Sequence, residues 1–337
     1  LLSSCGAGQT RPTDPNAPSA AGAESSGSGA DDPAAAADGG HAGAAANAAN
    51  AGEGGGVAAK AEPIDGALPE TRDGKPFARR HDCTEKQGCN HKLVVPESLR
   101  PESGDPAPIV VWEQVLPAKT MLIFPKHAGL DLYGLLLDGE VSVLSDDIAG
   151  KQKRCWKLNG FRAPGVGVNV YSKEPTRAIF AAVVNGKEGS VAQAIALLEK
   201  KDASLAWKKR ASPVTNFELS QKADLAWGGG AHHARIAYDA SSEGAPPASM
   251  TLLLMSKNAP VAEHVHDKEW EILAMVAGDG DFLRKGAATK MTGGTIATVP
   301  PGTPHAWRPS GTTPTIGIQF YWPPGPEQRF KALAEGK

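Results

Sequence analysis

The stretch "AEHVHDKEWEILAMVAGDG", residues 262–280, places two histidines one residue apart, a glutamate five residues after the second, and a glycine seven positions further on. Side chains two apart on a strand share a face, so His264 and His266 project together and Val265 turns away. The following run "EWEILAMVAG" carries Ile272, Leu273, Met275 and Val276 and reads as the adjacent strand, closing in a turn at "GDG". Glu271, near its start, then lies beside the histidine pair. Two neutral imidazoles and a carboxylate on adjoining strands form part of a site for a divalent transition metal. Taken alone, the histidine pair fits a solvated loop equally well.

Residues 294–309, "GTIATVPPGTPHAWRP", change that balance. A Pro-Pro-Gly turn reverses the chain, and a strand leaving it presents His305 inward. The set becomes His264, His266, Glu271 and His305.

The two segments resemble the two motifs of the cupin superfamily, G-x5-H-x-H-x(3,4)-E-x6-G and G-x5-P-x-G-x2-H-x3-N. The first supplies His264, His266, Glu271 and Gly278 at matching spacing; the second supplies Gly294, Pro300, Gly302 and His305. Asn258 stands in place of the first glycine and Pro309 in place of the last asparagine. Asn tolerates the left-handed backbone that glycine supplies, and neither change touches a ligand position. The resemblance implies an antiparallel jelly-roll-type β-barrel holding one divalent transition metal: Fe, Mn, Ni, Cu or Zn. Three His and one Glu leave up to two positions of an octahedral ion for a small-molecule ligand.

The chain has 337 residues, room for two domains. Its first part is compositionally separate. From Gly6 to Lys60 more than half the residues are Ala or Gly, and no aromatic residue precedes Phe77. Such a segment buries too little apolar surface to offset its ordering entropy, so residues 6–76 are expected to form a flexible tether. Before it, "LLSSC" (1–5) resembles the end of a bacterial lipobox, which implies that the chain begins partway through a signal peptide, that Cys5 carries lipid, and that the protein is held at the cell envelope. Gly6 rather than Asp after the cysteine leans toward the outer membrane. Among the other cysteines, Cys83 and Cys89 in "HDCTEKQGCNH" (81–91) suit a small disulfide loop in an oxidising compartment. A metal knot with His81 and His91 is the alternative, although its spacing departs from zinc patterns. Cys155 reads as a small buried hydrophobe. With 35 basic and 37 acidic residues, net charge −2 and no basic tract interleaved with aromatics, no nucleic acid partner is expected.

From residue 106 onward, short apolar runs broken by turn residues recur twice. The expected plan is all-β: an entry segment (77–105), a first barrel (106–186), a helical connector (187–212), a second barrel (213–325) and a tail (326–337). This is the bicupin plan. The first copy reads as degenerate. Aligning Gly139 with Gly278 puts His127 at the second histidine, but Pro125, Leu132 and Val168 at the other three ligand positions. In the second barrel, alternation from Glu271 puts Glu269, Leu273 and Met275 on one face. Glu269 is the candidate acid or base, with a solvated loop carboxylate as the alternative. Met275, Trp307, Gln319 and Tyr321 are candidate pocket lining, and His232 and His233 are read as turn residues. A small-molecule ligand, acted on by a metal-dependent oxygenase, decarboxylase or isomerase, is the expectation. A non-catalytic small-molecule or carbohydrate-binding protein is its rival, and a homodimer is a further expectation.

Overall fold

A computed structural model describes residues 80–82, 108–124, 129–145, 153–156, 159–165, 167–184, 192, 196 and 214–337. The lipobox with Cys5, the tether, Cys83, Cys89, Pro125 and His127 lie outside the described residues. So does nearly all of the connector, of which Ala192 and Ala196 are helical and exposed.

The first half folds as β1 (Arg80–Asp82), β2 (Ile109–Leu116), β3 (Thr120–Phe124), β4 (Leu130–Asp138), β5 (Glu140–Ser145), β6 (Lys153–Trp156), β7 (Asn159–Pro164), β8 (Val168–Ser172), β9 (Thr176–Val184) and β10 (Thr215–Glu218). The second half contains β11 (Leu225–Trp227), β12 (His232–Tyr238), β13 (Ser249–Met255), β14 (Val261–His264), β15 (Trp270–Ala277), β16 (Asp279–Arg284), β17 (Ala287–Thr292), β18 (Ile296–Val299), β19 (His305–Pro309) and β20 (Thr315–Trp322), followed by helix α1 (Gln328–Ala334). Each half pairs a six-stranded sheet with a four-stranded one. The orders are β1-β2-β9-β4-β7-β10 with β3-β8-β5-β6, and β11-β12-β13-β20-β15-β18 with β14-β19-β16-β17. Every pairing is antiparallel except β1 with β2.

The halves repeat each other in register. Leu132 lies opposite Ala182 as Glu271 lies opposite Tyr321, and the register slips between Leu136 and Asp138 as it does between Met275 and Ala277. Gly139 and Gly278 both have positive φ, +80° and +90°. A Cβ on either would strike a Pro-Thr segment, Pro175-Thr176 or Pro314-Thr315, within 3.0 Å. Only glycine fits such a left-handed bend against neighbouring backbone.

Alternation sorts each large sheet into an inner and an outer face. The inner faces fill their own barrels: Val110, Trp112, Leu122, Phe124, Leu132 and Phe180 in the first, Leu253, Met255, Leu273, Met275 and Phe282 in the second. The outer faces pack against each other. Tyr133, Leu135, Leu137 and Ile179 from one half join Met250, Leu252, Ile272, Ile318 and Phe320 from the other in one buried cluster. Tyr133 Oη donates to the Ala248 carbonyl across this seam at 3.1 Å. Arg162, paired with Asp131 at 2.6 Å, reaches the carbonyls of Glu243 and Gly244.

Several sequence expectations need correction. β14 and β15 are not neighbours but belong to opposing sheets, so Glu271 meets the histidines across the barrel. The cause is the loop 265–269: it crosses from one sheet to the other instead of making a hairpin. Accordingly the turn is Gly278 alone, and Gly280 already lies in β16. Residues 215–218, counted with the second barrel, pair with β7 of the first, because Phe217 buries itself in the shared seam. The tail contains α1, seated by Phe330, which stacks on Trp227 at 5.4 Å. His232 and His233 open β12 rather than a turn. His232 stacks on Trp227, and His233 Nδ1 is 2.9 Å from Asp224 Oδ2.

Candidate metal centre

The four motif residues converge. One ligand atom from each of His264, His266, Glu271 and His305 lies within 4.8 Å of the other three. His264 ends β14 and His305 opens β19, and the register sets the two directly opposite. Their rings lie 4.2 Å apart. His266 sits just beyond β14. Its carbonyl accepts the Gly302 N–H at 2.7 Å, and Gly302 has φ +70°. The Pro-Pro-Gly turn is thus pinned to the loop carrying the second histidine, which explains why both motifs are needed to assemble one site.

Hydrogen bonds set the direction of the rings. His264 Nδ1 lies 2.8 Å from the Ala262 carbonyl, and His305 Nδ1 lies 2.9 Å from that of Thr303. A carbonyl only accepts, so both Nδ1 atoms carry the proton and Nε2 of each ring faces the centre. Glu271 Oε2 lies 3.0 Å from His266 Nε2 and 2.9 Å from His305 Nε2. Its other oxygen, Oε1, accepts from Gln319 Nε2 at 2.6 Å. Gln319 therefore fixes the carboxylate plane and leaves Oε2 pointing inward.

The electrostatics match a cation site. Burial opposes charge on Glu271, yet hydrogen bonds from His266 and His305 hold its carboxyl well below the usual range. Burial pushes His264 down to about 4, a neutral ring at neutral pH. Burial also works against charge on His305, but the Glu271 bond outweighs it and raises this ring. Both His305 nitrogens face acceptors, the Thr303 carbonyl and the Glu271 carboxylate. A divalent cation at the convergence point would take the place of the two ring protons on Oε2. Neutral imidazoles and one carboxylate are the donors such an ion takes, so the residues fit the group.

The other candidates fall around this quartet. Tyr321, buried, packs its ring 5.0 Å from that of His266. Gln319 is a direct partner of Glu271 rather than general lining. Met275 and Trp307 are core residues; Trp307 packs on Gly280 and faces Phe282 across the strand pair. Glu269 is half-buried at the rim. Its Oε2 lies 3.3 Å from the backbone N–H of Lys268 and not in the quartet. His264 is the least buried of the four, and Val265 beside it is 40% exposed, so the centre opens to solvent on this side.

Among the described residues the first barrel holds no such quartet, although its strands keep the same register. Three strands of the second barrel set Ser249, Tyr321 and Glu271 in one inward row, with Thr251, Gln319 and Leu273 in the next. The equivalent rows of the first are Val110, Ala182 and Leu132, then Trp112, Phe180 and Gly134. Phe124 lies opposite Val168 as His264 lies opposite His305. Register thus puts Phe124, not Pro125, at the first histidine's place. Phe124 and Phe180 pack at 5.1 Å, with Trp112 against both, so aromatic packing fills the space a metal would take. No spacing rule reveals this offset, because Phe124 stands eight residues before Leu132 whereas His264 stands seven before Glu271.

Comparison with known proteins agrees with this architecture. The family model of the AraC-like ligand-binding domain matches residues 253–335. No curated protein matches the sequence. Among solved structures, the formate complex of oxalate decarboxylase from Lactobacillus farciminis is 12% identical, over 64% of this chain and 77% of that one, with a TM-score of 0.51. A Bacillus subtilis oxalate decarboxylase, described for its Mn(II) centres, is 12% identical over 64% of this chain and 69% of that one, with a TM-score of 0.50. At such identity the likeness speaks for the fold. Two repeated jelly-roll barrels give the chain the fold of its bicupin neighbours, and its second barrel carries the candidate metal centre.

Proposed function

We propose that this bicupin binds one divalent transition metal through His264, His266, Glu271 and His305, and acts on a small oxygen-rich molecule at that ion. The convergence of the four ligand atoms within 4.8 Å, with three of the four residues buried, carries the reading. The bound ion would supply Lewis-acid or redox chemistry. The chain's own part is to aim three Nε2 atoms and one carboxylate oxygen, to hold Glu271 through Gln319, and to admit the ligand from the His264 side. Mn(II) is the first ion to test, since the Bacillus subtilis neighbour holds it. Decarboxylase, dioxygenase and isomerase chemistry all suit such a centre. On the sequence of Leu2-Ser3-Ser4-Cys5 and the Ala/Gly-rich stretch after it, we place the protein at the bacterial cell envelope, anchored by lipid on Cys5.

Elemental analysis of protein purified without chelator, followed by a turnover screen of the loaded protein on small hydroxy and keto acids, tests the reading. We expect one metal per chain, abolished by His264→Ala. Metal-free protein that takes up no Mn, Fe, Ni, Cu or Zn on titration would overturn it.

A non-catalytic, metal-dependent ligand-binding role is favoured by one finding: the matching family model, over 253–335, describes a ligand-binding domain. Tight ligand binding by the loaded protein without turnover would select that role.

A further inference from the structure

Helix α1 covers part of the inner face of β11 and β12 and leaves the rest open. Leu225 and Trp227 on β11 lie opposite Ala234 and His232 on β12, and Ile236 lies opposite Thr251 on β13. Alternation therefore turns Leu225, Trp227, Ala234 and Ile236 to the inside. Phe330 of α1 stacks on Trp227 at 5.4 Å and closes that end. Ala334 follows four residues later, on the same face of the helix. Its methyl group does not span the gap that Phe330 fills, and Leu225 and Ile236 stay only partly buried. A cleft of 560 Å³ lies here, with Ala334 on one wall, Leu225 and Ile236 on the other, and Lys222, Lys331 and Ser242 along its rim. No residue of the quartet lines it, and β12 stands three places from β15 in the sheet.

The charges at this cleft are unevenly matched. Lys222 sits on a segment pinned by Arg235, whose Nη1 donates to the carbonyls of Leu219 and Lys222 at 3.3 and 3.2 Å. Lys222 is half-buried and, among the described residues, has no ion-pair partner. The acids nearby are engaged elsewhere. Asp239 Oδ1 accepts the Ser241 N–H and the hydroxyls of Ser241 and Ser242. Its Oδ2 accepts from Gln328 and Lys331. Glu335, exposed, pairs with Lys337. An ammonium group carries three donors, so Lys331 keeps donors beyond the one that Asp239 takes. Apolar walls with a few polar groups at this volume are the make-up of a small-molecule pocket.

We propose that this cleft is a second ligand site, separate from the metal centre, for a small amphipathic monocarboxylate. The apolar body lies on Leu225 and Ile236 beneath Ala334, and the carboxylate reaches the ammonium groups of Lys222 and Lys331. A neutral apolar ligand would cover Lys222 without compensating its lost hydration. An ammonium compound would meet two like charges, and a small inorganic anion would leave the apolar walls in contact with water. The site stands independently of the metal reading.

Calorimetric titration of the protein with octanoate, and with octanol as its uncharged counterpart, tests the proposal. Octanoate should bind wild type, and octanol should bind about tenfold more weakly or less, since it lacks the charge-assisted bond. Lys222→Met keeps the apolar stem and removes the charge. It should leave thermal unfolding unchanged and lower octanoate affinity about tenfold or more, the loss expected for one such bond. Ala334→Phe should fill the cleft and abolish binding. His264→Ala, which alters the quartet alone, should bind octanoate as wild type does. Unchanged octanoate affinity in Lys222→Met would overturn the proposal whether or not Ala334→Phe folds, and so would unchanged affinity in a folded Ala334→Phe. A wild type that does not bind octanoate, or binds octanol equally well, would also overturn it. Loss of octanoate binding in His264→Ala would move the carboxylate to the quartet and remove the second site.

Discussion

Glu271 and Gln319 show how much one side chain decides here. Glu271 brings the only negative charge to three imidazoles, and a carboxylate oxygen favours harder ions over tetrahedral zinc. Glu271→Gln keeps the volume and removes the charge. It should weaken metal binding and shift preference toward zinc without unfolding the barrel, as metal titrations monitored beside thermal unfolding would show. Gln319→Leu should act more mildly, because it leaves the ligands in place but lets the carboxylate plane turn. The loss expected is about 10- to 100-fold in metal affinity, in line with other outer-shell partners. An unaltered affinity would mean that packing alone orients Glu271. Protons provide a separate check. Without metal, Glu271 raises His305, so the ring holds its extra proton to higher pH; the metal needs that ring neutral. Loading at neutral pH should therefore release protons. Calorimetry in buffers of different ionisation enthalpy reads this directly, and identical apparent enthalpies in all buffers would contradict it. The four converging residues were legible in the sequence because their spacing is fixed by strand and turn geometry. Gln319 was legible only as inward-facing lining. Its bond to Glu271 depends on β15 and β20 being neighbours in register, which no local pattern states.

At the scale of single elements, turns and caps matter most. Gly278 bends left-handed between β15 and β16, with Thr315 Cα 2.7 Å from where a Cβ would stand. Gly278→Ala should cost at least about 1–3 kcal/mol from the backbone alone, read as a lower denaturant midpoint. Gly139→Ala should behave alike, because its surroundings repeat those of Gly278. α1 depends on Asp239. Burial opposes charge on this carboxylate, but bonds from Ser241, Lys331 and Gln328 hold its pKa well below the usual range. A depressed carboxylate stabilises the fold above its unfolded value, about 4, and that contribution is lost as pH falls through the folded value. The tie between Asp239 and α1 should thus persist at neutral pH and fade in acid. Wild type and Asp239→Asn should differ in amide exchange along α1 at pH 7 and converge in strong acid. The helix escaped sequence reading because "EQRFKALAEGK" follows a proline-rich exit from β20 and offers one buried anchor, Phe330, too few for an apolar period. The loop 265–269 misled differently. Two strands close in sequence suggest a hairpin, and only the facing of two sheets makes them partners across a barrel.

At the scale of the molecule, the two barrels share one core. Their outer faces, built from equivalent positions such as Tyr133 and Ile272 or Ile179 and Ile318, meet in a single buried cluster. The doubling itself was legible, because apolar runs and turn residues recur in order, but the seam was not: an outward apolar face looks the same in sequence whether a second barrel or another chain covers it. Sharing a core has a thermodynamic consequence. Neither large sheet can lose its partner without exposing a row of Ile, Leu and Phe, so the halves should unfold together. A metal held by the quartet would sit inside the second barrel, away from the seam, and the strands rather than the ion bury most of the apolar surface; removing it should lower the unfolding temperature without unfolding the chain, unlike a zinc finger, whose fold requires its ion. Tyr133→Ala tests both halves of this argument at once. Tyr133 is fully buried, lies edge-on to Tyr238 and Phe320 of the other half, and bonds the Ala248 carbonyl. Its truncation should cost about 3–5 kcal/mol, as for other buried aromatics. Scanning calorimetry should show one transition, shifted down, in both metal-loaded and chelated protein, with metal content at 25 °C unchanged. Two separated transitions would mean that the seam does not couple the barrels. Loss of metal from the otherwise folded variant would mean that the first barrel, though its own site is filled with aromatic rings, helps to shape the centre in the second.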